Sequence, residues 1–156
     1  MIPLDIPGRE RLFLKNIVID FNGTMALDGV LLPGVQERLN LLSNILDVYI
    51  LTADTFGSVL SACSSIDGKV KILKDFLGSV EKFKFIEALG AQETAAIGNG
   101  SNDMLMLEGA AIGIAVTGPE GSSTKALMAA DVTVNDIITG LDLFLTPKRL
   151  VATLRG

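Results

Sequence analysis

Apolar and polar positions run along this chain in two rhythms that trade places. From Asn16 onward, short β-branched runs give way to stretches with apolar residues three and four apart, and then return. Ile17-Val18-Ile19 is an unbroken apolar run ending at Asp20, the pattern of a strand buried on both faces. Residues 27–32 predict a small hairpin turning at Asp28-Gly29, a favoured turn dipeptide. Pro33 opens a helix predicted over residues 33–46, with Val35, Leu39, Leu42 and Ile45 at helical spacing. Asp47-Val48-Tyr49-Ile50-Leu51 reads as a second strand, followed by a helix starting near Phe56. Residues 70–73 read as a third strand and 80–89 as a helix, and Thr94-Ala95-Ala96-Ile97 is a fourth strand running into glycine. Residues 102–109, 112–116, 123–129 and 132–134 continue the alternation, and residues 136–155 read as helical with a break near Pro147. The sequence shows no internal repeat, low-complexity run or linker. Alternation of this kind predicts an α/β fold, a mostly parallel central sheet with helices on both faces. At 156 residues, one domain covering residues 1–156 is expected.

Composition narrows the picture. Hydrophobic residues make up 49% of the chain, enough for a well-buried core. The most apolar stretch, residues 110–116, is far shorter than the roughly 20 residues of a membrane helix. Its glycine and its place between two loops suit a buried strand. The opening Met1-Ile2-Pro3-Leu4-Asp5 lacks the basic and long apolar regions of a secretory signal, so a soluble, cytoplasmic protein with no membrane partner is expected. A net charge of −5 without a Lys/Arg stripe argues against nucleic acid as a partner. Cys63 is the only cysteine and lies in an apolar stretch, where a packed thiol is expected. The absence of histidine removes serine–histidine triads, histidine metal sites and histidine acid/base chemistry together.

In an open parallel sheet, ligands bind beyond the carboxyl ends of the strands, near the point where strand order reverses. Three polar clusters follow strands here: Asp20-Phe21-Asn22-Gly23-Thr24, Thr52-Ala53-Asp54, and Gly98-Asn99-Gly100-Ser101-Asn102-Asp103. Lys82 begins the helix preceding the third. Each cluster alone is an ordinary turn or helix cap, since Asp, Asn, Ser and Gly favour such places. Gly98-x-Gly100 is a weak dinucleotide signal, because Asp103 stands where that fingerprint has its third glycine.

The order of the clusters carries more weight. Asp-x-Asn-Gly-Thr, then a threonine, then a lysine, then Gly-Asn-Gly-x-Asn-Asp resembles the four motifs of the haloacid-dehalogenase (HAD) superfamily. Within it, the match resembles most the phosphorylation domain of P-type ATPases and the small soluble proteins related to it, over residues 17–134. The resemblance implies a three-layer, Rossmann-like fold and phosphoryl transfer through an aspartyl-phosphate on Asp20, an established form of covalent catalysis. It implies that Thr52, with backbone N–H groups of Asn22, Gly23 and Ala53, receives the phosphoryl group, and that Lys82 offsets its charge. Lys84 is the less favoured candidate for that lysine. The implied cofactor is Mg²⁺, a hard cation with oxygen ligands, held by Asp20, Asn22 through its backbone carbonyl, Asn99 and Asp103.

Two family aspartates are asparagines here. Asn22 stands where HAD phosphatases carry the general acid/base, and Asn99 where they carry a metal carboxylate. An amide cannot shuttle a proton at ordinary pH, and losing a positioned acid/base costs about 10²–10⁴-fold in rate. P-type ATPases carry threonine at the Asn22 position, so phosphoryl transfer survives such a change. The gaps between Asp20, Thr52 and Lys82 hold no cap domain, and the nucleotide-binding domain and membrane helices of the transport ATPases are missing. The expectation is a capless magnesium-dependent phosphatase, slowed by Asn22 and Asn99. Its open site suits a large phosphorylated partner or a lid from another subunit of a homo-oligomer. The competing expectation is a nearly inert phosphate-binding regulator. A receiver domain lacks its acidic pair here, and a dinucleotide-binding module ranks last.

Overall fold

A computed structural model describes residues 1–53, 58–74 and 78–156. Its centre is a six-stranded, wholly parallel sheet. The chain first forms a short antiparallel hairpin, β1 (Ile2–Leu4) and β2 (Leu12–Leu14). The first sheet strand follows, β3 (Asn16–Asp20). Next come the small hairpin β4 (Ala26–Leu27) and β5 (Val30–Leu31), helix α1 (Val35–Leu42) and strand β6 (Asp47–Thr52). Helix α2 (Ser58–Ala62), strand β7 (Lys69–Ile72), helix α3 (Ser79–Leu89) and strand β8 (Thr94–Gly98) complete the middle of the chain. Then come α4 (Met104–Gly109), β9 (Ile112–Val116), α5 (Thr124–Ala129) and β10 (Val132–Val134), followed by α6 (Ile137–Leu145) and α7 (Pro147–Leu154).

Strand order is β10-β9-β8-β3-β6-β7. From central β3 the chain runs outward through β6 to β7, then returns to lay β8 on the other side of β3. Strand order therefore reverses between β3 and β8, where an open α/β sheet forms its crevice. Edge strand β7 turns Lys69 and Lys71 to solvent, and the opposite edge, β10, is three residues long.

Period-2 alternation sorts each strand between two cores. Ile17 and Ile19 of β3 join Val35, Leu39, Ile137, Leu141, Phe144 and Leu150 on the face covered by the hairpin, α1, α2, α6 and α7. Val18 joins Ile86, Met106, Leu107 and Ala126 on the face covered by α3, α4 and α5. The result is three layers. Asp20 falls on the Val18 face, which directs its carboxylate toward α3.

Several elements differ from the sequence pattern. The β1–β2 hairpin lies before Asn16, where three-residue strands interrupted by Pro3 give too short a signal. Helix α1 stops at Leu42, short of Leu46. Ser43 Oγ and Asn44 Nδ2 both donate to the Asn40 carbonyl, at 2.8 and 2.9 Å, an alternative to continued helix. The turn at Asp28-Gly29 forms with φ of 51° and 78°, as the hairpin pattern predicts. Asp54 and Phe56, singled out in the sequence, lie outside the described residues. Cys63 is buried, and that burial pushes its thiol up to about 11. Among the described residues no helix is long and apolar enough to cross a membrane.

Candidate active site

Lys82 lies in the first turn of α3, one helical turn before Ile86 and on the same buried face. That face rests on β3, so the ammonium arrives at the carboxyl end of the strand. Lys82 Nζ donates to Asp20 Oδ1 at 2.5 Å and to Asp103 Oδ1 at 2.6 Å. The three residues are 1%, 7% and 0% exposed, so the cluster is shielded from solvent screening. Lys84 is solvent-exposed on another side of the helix.

Asp103 is held from both ends. Its Oδ2 accepts from the backbone N–H groups of Asn99 at 3.0 Å and Gly100 at 2.8 Å, while Oδ1 faces Lys82. This closure depends on Gly98, the last residue of β8. A Cβ there would lie 2.5 Å from Asp103 Cγ, so any side chain displaces the carboxylate. With both oxygens engaged and no exposed surface, Asp103 acts here as an anchor for Lys82 and the β8 loop.

The loop after β3 is equally tight. Met25 and Ala26 donate to the Phe21 carbonyl, and Gly23 donates to Ala26 O at 2.8 Å. Thr24 Oγ1 lies 3.2 Å from Asp20 Oδ2 and 3.0 Å from Asn99 Oδ1, tying the β3 and β8 loops together. The Asn99 amide has a fixed sense, because Nδ2 donates to Gly121 O at 3.0 Å. Asn99 is buried, whereas Asn22 is exposed on its loop. Thr52 ends β6 one residue beyond Leu51, the partner of Asp20 across the sheet, and is buried. Ala53 follows, half-buried. The sequence reading gave Thr24 no role, and its place between Asp20 and Asn99 emerges only with the fold.

Electrostatically, two carboxylates share one ammonium. Burial and then Asp103 push the Asp20 carboxyl up to about 7, against the pull of Lys82 and of its hydrogen bonds to Lys82 and Thr24. Lys82 moves upward too: burial opposes its charge, but Asp20 and Asp103 outweigh burial. The surplus negative charge is buried at the carboxyl ends of β3 and β8. A cleft lined by Pro3, Pro7, Pro147, Val151 and Arg155 lies elsewhere and includes none of these groups.

No family model matches the chain. Among solved structures, the cobalt-bound deoxy-D-mannose-octulosonate 8-phosphate phosphatase of Haemophilus influenzae superposes with a TM-score of 0.72 at 14% identity, over 92% of this chain and 94% of that one. The Moraxella catarrhalis 3-deoxy-D-manno-octulosonate 8-phosphate phosphatase, in complex with magnesium, phosphate and KDO, gives 0.64 at 18% identity over 91% and 94%. A zinc-transporting PIB-type ATPase gives 0.63 at 23% identity, over 78% of this chain and 20% of that one. The chain has the haloacid-dehalogenase fold, as its motifs implied. In sequence it is 40% identical over 92 residues to an uncharacterized protein of Methanocaldococcus jannaschii, covering 55% of this chain and 99% of that protein. A second uncharacterized protein of the same organism is 51% identical over 39 residues, 25% of this chain and 89% of its own length. The chain belongs to one family with these archaeal proteins.

Proposed function

We propose that this chain is a phosphohydrolase that works through a phosphoryl-enzyme on Asp20. The observation that carries the reading is the buried Lys82 ammonium bridging Asp20 and Asp103 where strand order reverses. An Asp20 carboxylate oxygen attacks phosphorus, the phosphorus–oxygen bond to the alcohol breaks, and the alkoxide takes its proton from water. Water then attacks the acyl phosphate, inorganic phosphate leaves, and Asp20 is regenerated. Thr52 and the backbone N–H groups of Asn22 and Ala53 receive the phosphoryl oxygens, the Gly23 N–H expected to join them being taken by the Ala26 carbonyl, and Lys82 offsets the charge that accumulates on them. Asn22 carries no transferable proton, so neither step gains from acid/base help at that position.

The donor set fits a divalent cation. The described residues include no cluster of three acidic, histidine or cysteine side chains arranged to hold a metal. They do hold an under-neutralised carboxylate beside an amide oxygen, the hard oxygen donors magnesium takes while keeping several waters. Asp20, the Asn22 carbonyl and Asn99 Oδ1 would hold the ion, with Asp103 acting through Lys82. When bound, the ion supplies positive charge that keeps Asp20 ionised and draws charge from the phosphoryl oxygens. The protein is expected to act on a phosphorylated partner at an open site.

The test is phosphate release from a broad panel of esters, with magnesium and with chelator. Asp20→Asn is expected to abolish magnesium-dependent release with the fold intact by circular dichroism. Wild-type turnover in that variant would end the assignment. The neutral Asn22 and Asn99 favour the second reading, a phosphate-binding regulator. Phosphate binding without turnover of any ester would establish that reading instead.

A further inference from the structure

The loop after β9 runs over the site, and its geometry is set by a single turn. Gly121 N–H donates to Gly118 O at 2.8 Å, closing a β-turn with Pro119 and Glu120 at its centre. Proline at the second position is the favoured arrangement. The turn is tied to Asn99 three times: Asn99 Nδ2 donates to Gly121 O, while Ser123 N and Ser122 Oγ donate to Asn99 O at 2.8 and 3.1 Å.

These bonds deliver the Glu120 side chain to Gly23. A Cβ built on Gly23 would lie 2.4 Å from Glu120 Oε2, 2.7 Å from Asn99 Nδ2 and 3.1 Å from Asn99 Oδ1. Glu120 and the Asn99 amide therefore meet above the loop that carries Asp20 and Asn22. The ion pairs of the described residues do not include Glu120. Its negative charge stays unneutralised beside a position where the family pattern has a carboxylate and this chain has an amide.

We infer that Glu120 supplies the negative charge that Asn99 lacks, acting on a bound divalent cation through the ion's water shell. Asn99 is then the tether that holds Glu120 in place. Its Nδ2 needs the Gly121 carbonyl, and a carboxylate at 99 would meet that carbonyl with lone pairs on both sides. The carboxylate missing from the β8 loop is in effect supplied by the β9 loop. A solvated ion suits this arrangement, because an outer-shell carboxylate accepts hydrogen bonds from bound water.

The inference rests on the cation reading above, and calorimetric titration separates the two. Mg²⁺ and Mn²⁺ are titrated into the wild-type protein, Glu120→Gln and Glu37→Gln, with no substrate present. Glu37 is an exposed residue of α1, on the opposite face of the sheet, and its variant removes the same charge. Glu120→Gln is expected to bind about tenfold or more weakly, the usual cost of losing an outer-shell partner, with Glu37→Gln unchanged. Equal affinity of Glu120→Gln and wild type, or an equal drop in both variants, overturns the role of Glu120. No cation binding by the wild type overturns the cation reading itself.

Discussion

The two faces of the central sheet solve different problems. The face covered by α1, α2, α6, α7 and the N-terminal hairpin is a continuous apolar layer, in which Ile17, Ile19, Ile50, Ile97 and Ile114 meet Leu141 and Phe144. The face covered by α3, α4 and α5 has a narrower apolar layer closed by polar contacts at both strand ends. At one end Asn16 Nδ2 donates to the Leu89 carbonyl at the foot of α3 and to Thr94 Oγ1 at 3.2 Å. At the other, Lys82 joins α3 to Asp20 and Asp103. Apolar contact is tolerant of sliding, whereas hydrogen bonds at both ends fix α3 along the strand axis. The first face is held by apolar burial; the second adds a buried ion-pair cluster that fixes α3 along the strands, and with it the site.

The largest effect is expected from Lys82→Met, which leaves two buried carboxylates without their cation. Removing one partner of a buried ion pair costs about 3–5 kcal/mol, read as a drop in unfolding free energy by denaturant titration. Added magnesium should recover part of that loss if the ion neutralises the same charge.

Leu141→Ala, on the apolar face, should cost about 2–5 kcal/mol. Its stability loss should be independent of magnesium and its cation affinity unchanged. A shift in cation affinity would show that the two faces are coupled more tightly than the contacts imply.

A third effect is the pH dependence of the cation-free protein. The Asp20 carboxyl rises from its ordinary 3.8 to about 7 in the fold, so the native state retains a proton that the unfolded chain has released. Stability should therefore fall as pH rises from about 4 to about 7, and this component should level off above that. Asp20→Asn should remove that slope. An unchanged slope in the variant would place the titrating group elsewhere.

The inner strands of the central sheet are legible in the sequence because burial on both faces makes them apolar runs, as in Ile17-Val18-Ile19 and Ile112-Gly113-Ile114. The meeting of Asp20, Lys82 and Asp103 was legible only through the order of the motifs, whose resemblance to the haloacid-dehalogenase pattern implied one site for them. Other features have no such signature. The choice between Lys82 and Lys84 needs the phase of α3, which Ile86 sets only once its face is known. Thr24 and Asn99 find each other across 75 positions, and neither residue type announces a partner. Glu120 was legible in principle. Thr117-Gly118-Pro119-Glu120-Gly121 follows β9, the neighbour of β8, and a strand-end loop beside the switch point is as well placed to carry site residues as the other three.

The open edges of the sheet bear on how copies of this protein can associate. An unpaired strand edge offers a row of backbone donors and acceptors to any other chain. Here β7 carries Lys69 and Lys71 at its exposed positions, and the Lys69 ammonium also sits 4.9 Å above the Tyr49 ring, which holds it against its own sheet. A strand arriving from another molecule must strip water from two ammonium groups, and at β10 it finds only three residues to pair with. Growth of the sheet from molecule to molecule is disfavoured at both ends, and contact between folded copies is left to the helical layers and the loops.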